Sequence, residues 1–172
     1  GRIYNYALSF GADVFDPGGT ELRLDDPAMI YAAEWMRTYA EKYGVEAVAG
    51  FAEGFGGEAQ QEFTAGLVSM QYSGSWMLNN HNRYNPDLNY DVVPMPYPEG
   101  GRVSTMCGGW SVVLPNGAPN VDAGFEFISY FASAEKTHEY CMKNSNIPTQ
   151  KAYADDPFYT SDPKHKVFMD LL

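Results

Sequence analysis

Residues 62–76, EFTAGLVSMQYSGSW, restrict the fold more than any other stretch of this 172-residue chain. The pattern predicts the end of a helix, a stop at Gly66, a short apolar strand over 67–72, and a turn at Ser73-Gly74-Ser75 that presents Trp76. Glycine takes a positive φ without a Cβ penalty, so Gly66 can end a helix and Gly74 can make a tight turn. Ser75 suits the N-cap of a helix beginning at Trp76. A large aromatic is thereby fixed at a strand-to-helix turn, where open α/β sheets place their ligands. From spacing alone, Trp76 serves a binding surface or the core equally well.

Around this stretch the composition is that of a globular chain, 45% hydrophobic and 19% charged, long enough for one α/β domain, residues 1–172, with its own core. The 22 acidic against 11 basic residues give a net charge of −11. That balance speaks against nucleic acid and anionic membrane surfaces as partners, because both require a basic patch. The 13 Tyr and 3 Trp suit a surface that meets polar ligands bearing apolar faces, although packing accounts for them as well. No apolar run reaches the length of a membrane span and no signal peptide opens the chain, so an exported protein would carry its signal upstream of Gly1. Cys107 and Cys141 lack CxxC spacing and are too few for a zinc site. Free buried thiols are expected, with a mutual disulfide as the alternative.

Along the chain, residues 4–10 fit a short strand or a helix end, and residues 13–19 (DVFDPGG) are turn chemistry. Asp26-Pro27 starts a helix on which Met29, Ala33, Met36, Ala40 and Tyr43 recur at helical spacing before Gly44 closes it. Residues 45–57 are expected as a loop. The run Gly54 to Ala59 matches the dinucleotide pattern G-x-G-x-x-A in form only, because no clear strand or βαβ unit surrounds it. A flexible entry to a helix over 58–64 accounts for these glycines better. A short helix over 76–84 ends at Asn85-Pro86. Strands follow over 90–95, 103–107 and 110–114, the last two flanking Gly108-Gly109, a pair that marks either a bulge or the close approach of a ligand. Asn120 and Ser133 cap two helices, the first presenting Phe125, Ile128, Tyr130 and Phe131. Asp162-Pro163 starts a last helix that runs towards Leu172, and the natural chain is expected to continue beyond it.

No catalytic constellation stands out. His81, His138 and His165 have no metal-ligand spacing and are expected at solvated or helix-surface positions. There is no P-loop and no G-x-S-x-G elbow. The acids single out no pair for glycoside hydrolysis, and Asp155-Asp156 reads as a solubilising loop. No cofactor or metal is expected.

The order of elements resembles the family 1 extracellular solute-binding proteins, the sugar-binding components of ABC importers related to maltose-binding protein. Phe63-Thr64-Ala65-Gly66-Leu67-Val68-Ser69-Met70 is similar to the family's F-x-x-G-x-x-A-M, and Gly74-Ser75-Trp76 to its G-x-W. Tyr90-Asp91-Val92-Val93-Pro94-Met95-Pro96 resembles its strand before a P-x-P turn, and Gly108-Gly109-Trp110 its second glycine-rich strand. Phe125-Glu126-Phe127-Ile128 and Ile147-Pro148-Thr149 resemble its A-x-x-F-I/L helix and P-T loop. Ser69, where a small apolar residue is usual, and Cys107, before the glycine pair, depart from the pattern.

The resemblance implies a periplasmic-binding-protein-like lobe of type II, a mixed β-sheet flanked by helices. Family members have two lobes, and residues 1–172 would correspond to most of the C-terminal one, the N-terminal lobe and last helices being absent. It also implies binding rather than catalysis: capture of a sugar in the cleft between lobes, then delivery to membrane permease subunits. Trp76 and Trp110 match positions that stack on sugar rings. Gly108 and Gly109 would admit backbone groups to the sugar, and Ser75 would offer a hydroxyl. Phe55 and Asn146 lie in loops that either face the cleft or are ordinary loop residues. The location implied is periplasmic or extracellular, with a lipid anchor through an upstream N-terminus as one form of it. A carbohydrate-active enzyme with a carboxylate pair and a binding protein for a polyamine or peptide are the alternatives.

Overall fold

The computed structural model describes residues 2–55 and 61–172, and its regular secondary structure is almost wholly helical. Residues 56–60, which include Gly56-Gly57 and the start of the helix expected over 58–64, lie outside the described residues. The chain divides into two compact units. The first takes the chain up to Tyr72 together with Val92–Met106, and the second takes Ser73–Asp91 together with Cys107–Asp170.

In the first unit, α1 (Arg2–Ser9) packs on α2 (Pro27–Tyr43). Asp26 caps α2 by accepting from the Ala28 backbone N–H at 2.8 Å, Pro27 opens it, and the Gly44 N–H returns to the Ala40 carbonyl. The core is made by Ala7 and Ala12 against Met29 and Ala32, with Ile3, Tyr6, Phe10 and Val14 around it. Of the expected stripe, Met29 is buried and Met36 and Ala40 are half-buried, whereas Ala33 and Tyr43 are exposed and Ala32 is buried in place of Ala33. Small residues on both helices let the backbones approach, and beside the seam Trp35 meets Tyr6 tilted at 5.0 Å and Phe10 edge-on at 5.6 Å.

Residues 45–53, expected as a loop, form α3 (Val45–Glu53). Helix formers and Glu46 in the first turn outweigh Gly50, whose helix penalty is about 1 kcal/mol. No helix is assigned over the described part of 58–64, where residues 61–66 form turns, but the stop expected at Gly66 is present in Schellman form: Leu67 N–H donates to Glu62 O, Gly66 N–H donates to Phe63 O, and Gly66 has φ 73°.

The mixed sheet does not appear among the described residues, whose one β-bridge joins Phe15 and Leu22. Residues 67–72, 90–95, 103–107 and 110–114 carry strand-like composition, yet a strand exists only through a ladder to a neighbour. Leu67, Met70, Val93, Val103 and Val113 along them are exposed.

The second unit holds α4 (Trp76–Tyr84), α5 (Val121–Phe131), α6 (Ala134–Asn144), α7 (Pro157–Thr160) and α8 (Pro163–Asp170). α6 packs against both α4 and α5, and α7 packs on α8. Met77, Leu78, Cys141 and Tyr159 are buried, as are His81 and His165. The expectation of solvated histidines is therefore corrected at His81 and His165, whose rings serve as packing surfaces edge-on to Tyr90 and Tyr159. His138 lies flat on Tyr153, with Nε2 3.3 Å from an Asp156 carboxylate oxygen. Asp156 also caps α7 by accepting from Phe158 N–H, so it is a structural residue rather than a solubilising one. Asn120 and Ser133 occupy N-cap positions but make no side-chain capping bond. Both cysteines are free; Cys107 is exposed, and burial pushes the Cys141 thiol up.

Candidate functional site

The helix α4 begins, as its sequence suggests, at Trp76. Its buried side is Met77, Leu78 and His81, which leaves Trp76, Asn79 and Asn80 on the other side at i, i+3 and i+4. Trp76 is 55% exposed, so the core reading of this residue is not met. Its indole folds back over Gly74: a Cβ built at that glycine would meet ring carbons of Trp76 at under 3.0 Å. Gly74 does not have a positive φ. Glycine is needed there to clear the ring, not to make the turn.

α6 supplies the facing residues. Tyr140 and Asn144 stand one helical turn apart, and the helix ends in a second Schellman arrangement. Asn146 N–H donates to Cys141 O and Ser145 N–H to Met142 O, with Ser145 at φ 53°. The left-handed Ser145 reverses the chain so that Asn146 comes back beside Asn144. Trp110 completes the group from the extended segment after α4 and is fully exposed. Together Trp76, Asn79, Asn80, Trp110, Tyr140, Asn144 and Asn146 line a concavity of about 450 Å³ within the second unit.

The lining is two indoles, a phenol and four amides. The Asn144 amide nitrogen donates to the Tyr140 carbonyl at 2.9 Å, and the Asn80 amide nitrogen lies 3.7 Å from the Met77 sulfur. Each leaves its Oδ1 free to accept. Among the described residues no group of three or more His, Cys, Asp and Glu is placed to hold a metal ion.

Of the residues expected at a site, the structure brings Trp76, Trp110 and Asn146 together. Gly108 and Gly109 are exposed just before Trp110, and a Cβ at either would meet nothing within 4 Å, so packing does not call for glycine there. Ser75 is 4% exposed and does not line the concavity, which removes its hydroxyl from the surface. Phe55 belongs to the first unit, ring-on-edge with Phe51. Asn79, Asn80, Tyr140 and Asn144 were missed. The signal for the first two was available: a helix starting at Trp76 with Met77 and Leu78 inward places Asn79 and Asn80 beside the indole.

The family model of bacterial extracellular solute-binding proteins matches residues 4–167. Two maltooligosaccharide ABC transporter solute-binding lipoproteins of Streptococcus pneumoniae, one from serotype 4 and one from strain R6, are each 24% identical over 163 residues. The match takes 88% of this chain and 37% of each relative. The solved structures of CpMnBP1 with mannobiose and with mannotriose bound align with a TM-score of 0.72 and 25% identity over 96% of this chain, covering 42% and 43% of theirs. The chain thus spans about two fifths of the length of these relatives. Its backbone shares their architecture at a level coarser than the mixed sheet expected from the sequence.

Proposed function

The chain belongs to the family of bacterial extracellular solute-binding proteins, and on that premise we propose that it is part of a protein that captures a sugar or oligosaccharide outside the cytoplasm for import by an ABC transporter. The family is one of binding proteins rather than enzymes. In this reading the chain corresponds to most of the C-terminal lobe of a two-lobed protein and forms one wall of a cleft that closes by hinge motion over the ligand. Membrane permease subunits are the partners that receive the loaded protein, and a lipid anchor of the kind named for the pneumococcal relatives holds it at the cell surface.

The observation that carries this reading is the concavity in which Trp76, Trp110 and Tyr140 stand among four asparagines. A pyranose has C–H faces and hydroxyl edges. The faces lose apolar area to an indole while the edges keep their hydrogen bonds with amides. Full burial of an aromatic is worth roughly 1.5–3 kcal/mol, and a one-sided stack about half of that. The bare backbone at Gly108 and Gly109 gives a ring close access beside Trp110.

Isothermal titration of the full-length protein against neutral mono- and oligosaccharides, mannobiose and maltotriose among them, tests this. Saturable heat with at least one of them is expected; no heat with any member overturns the carbohydrate assignment. Trp76→Ala is expected to weaken the binding about tenfold, equivalent to about 1.4 kcal/mol. Unchanged affinity would remove Trp76 from the site.

A further inference from the structure

The four amides of the concavity have a feature that neither the aromatic residues nor the family supplies: among the described residues, no ionisable side chain other than the Tyr140 phenol lines it, in a chain of net charge −11. The charged residues of the two lining helices are engaged elsewhere. On α6, Glu139 is bridged by Lys143 at 2.7 Å and by Lys136 at 3.2 Å, and Lys136 also meets Glu135. On α4, the Arg83 guanidinium lies over the Tyr84 ring. Among the described residues that line the concavity, none carries a cation or a carboxylate.

We propose, resting on the solute-binding reading above, that Asn79, Asn80, Asn144 and Asn146 are specificity-determining residues that make this site select uncharged saccharides and reject sugar acids. The hydrogen-bonding inventory gives the reason. Asn144 and Asn80 each spend one of two amide N–H groups, on Tyr140 O and Met77 Sδ, and keep the other beside a free Oδ1. The side chains of Asn79 and Asn146 make no hydrogen bond within the protein among the described residues, so each offers both a donor and an acceptor. A hydroxyl satisfies all four amides, since it both donates and accepts. A carboxylate is acceptor-only: it can take the amide N–H groups but leaves the Oδ1 lone pairs unmet, and it finds no cation among the lining residues to offset its lost hydration. The negative charge of the chain adds repulsion at longer range, which salt screens. An amino sugar suffers less, because a cation gains from the indole faces. Rejection is therefore directed at acids.

The test titrates the full-length protein with mannobiose and maltotriose, and with derivatives of each carrying one C6 carboxylate. Binding of a neutral sugar with at least tenfold weaker binding of its acid derivative is expected. Asn79→Asp, nearly isosteric with the natural residue, is expected to widen that gap, and Asn79→Lys to narrow it by about tenfold through a new counter-charge. Circular dichroism of each variant shows that the fold is kept. Equal affinity for neutral and acidic sugars, preference for the acid, or a gap that moves with neither Asn79 variant overturns the inference while leaving sugar capture standing. No binding of any sugar, neutral or acidic, overturns sugar capture and the inference with it.

Discussion

Trp76 owes its place to a residue with no side chain. Gly74 leaves open the space over which the indole folds, and a methyl group there collides with the ring. Gly74→Ala is therefore expected to swing the indole out of the concavity. Because the backbone at Gly74 is not in the left-handed region, the cost to stability should stay within about 1 kcal/mol, while sugar affinity falls towards that of Trp76→Ala. Titration and tryptophan fluorescence of the variant check this, and unchanged affinity would sink it. At this scale the sequence was readable where a side chain acts beside its own chain neighbours. Gly66, Gly74 and Trp76 all behave locally, although Gly74 does so for a steric reason rather than a torsional one. Ser75 was misread because its burial depends on what packs over the start of α4. Tyr140 and Asn144 went unseen because only the fold brings α6 opposite α4.

Helix ends were legible and strands were not, for one reason. A cap is built from residues two to four apart, so Asp26-Pro27 and Asp162-Pro163 announce α2 and α8, and Gly44 announces the end of α2. A ladder is built between segments far apart in the chain, and composition alone cannot supply the partner that residues 67–72 or 110–114 need. The same locality makes a prediction about α7. Asp26 caps α2 through one bond from Ala28 N–H, whereas Asp156 accepts from Phe158 N–H and also meets His138 Nε2. Asp26→Ala should cost about 1 kcal/mol, the usual loss of an N-cap, and Asp156→Ala should cost more because it also leaves the half-buried His138 ring without its acid. Urea denaturation of both variants compares them. A smaller loss for Asp156→Ala would show that α7 contributes little to holding the second unit.

Across the whole molecule, the histidines are unevenly shared: all three belong to the second unit. His165 is 2% exposed with Nε2 buried and unpartnered, and His81 is 4% exposed. Burial pushes both imidazoles below their ordinary range, only partly opposed at His165 by Asp162. A folded-state pKa below that of the unfolded chain means that the unfolded chain takes up a proton the folded unit refuses. Their contribution is thus complete above about pH 6.5 and is lost as pH falls from there. In the first unit the shifted acids are carboxylates. The Arg102 guanidinium holds Asp13 below its usual range by hydrogen bond and charge, and the backbone N–H groups of Glu21 and Thr20 do the same for Asp16. What these two contribute is present above the ordinary carboxylate range and disappears only below about pH 4, and both are exposed enough for solvent to screen them. Acidification should therefore act on the two units in sequence. Amide hydrogen exchange, corrected for intrinsic rates, is expected to show α4 and α8 losing protection between about pH 7 and pH 5, while α1 and α2 keep theirs. His165→Phe, which replaces the ring between Phe158 and Tyr159 with one that cannot take a proton, should flatten the response of α8 and leave the part carried by His81 in α4. Parallel loss in all four helices, or an α8 response unchanged in His165→Phe, would refute the assignment of this acid sensitivity to the buried imidazoles.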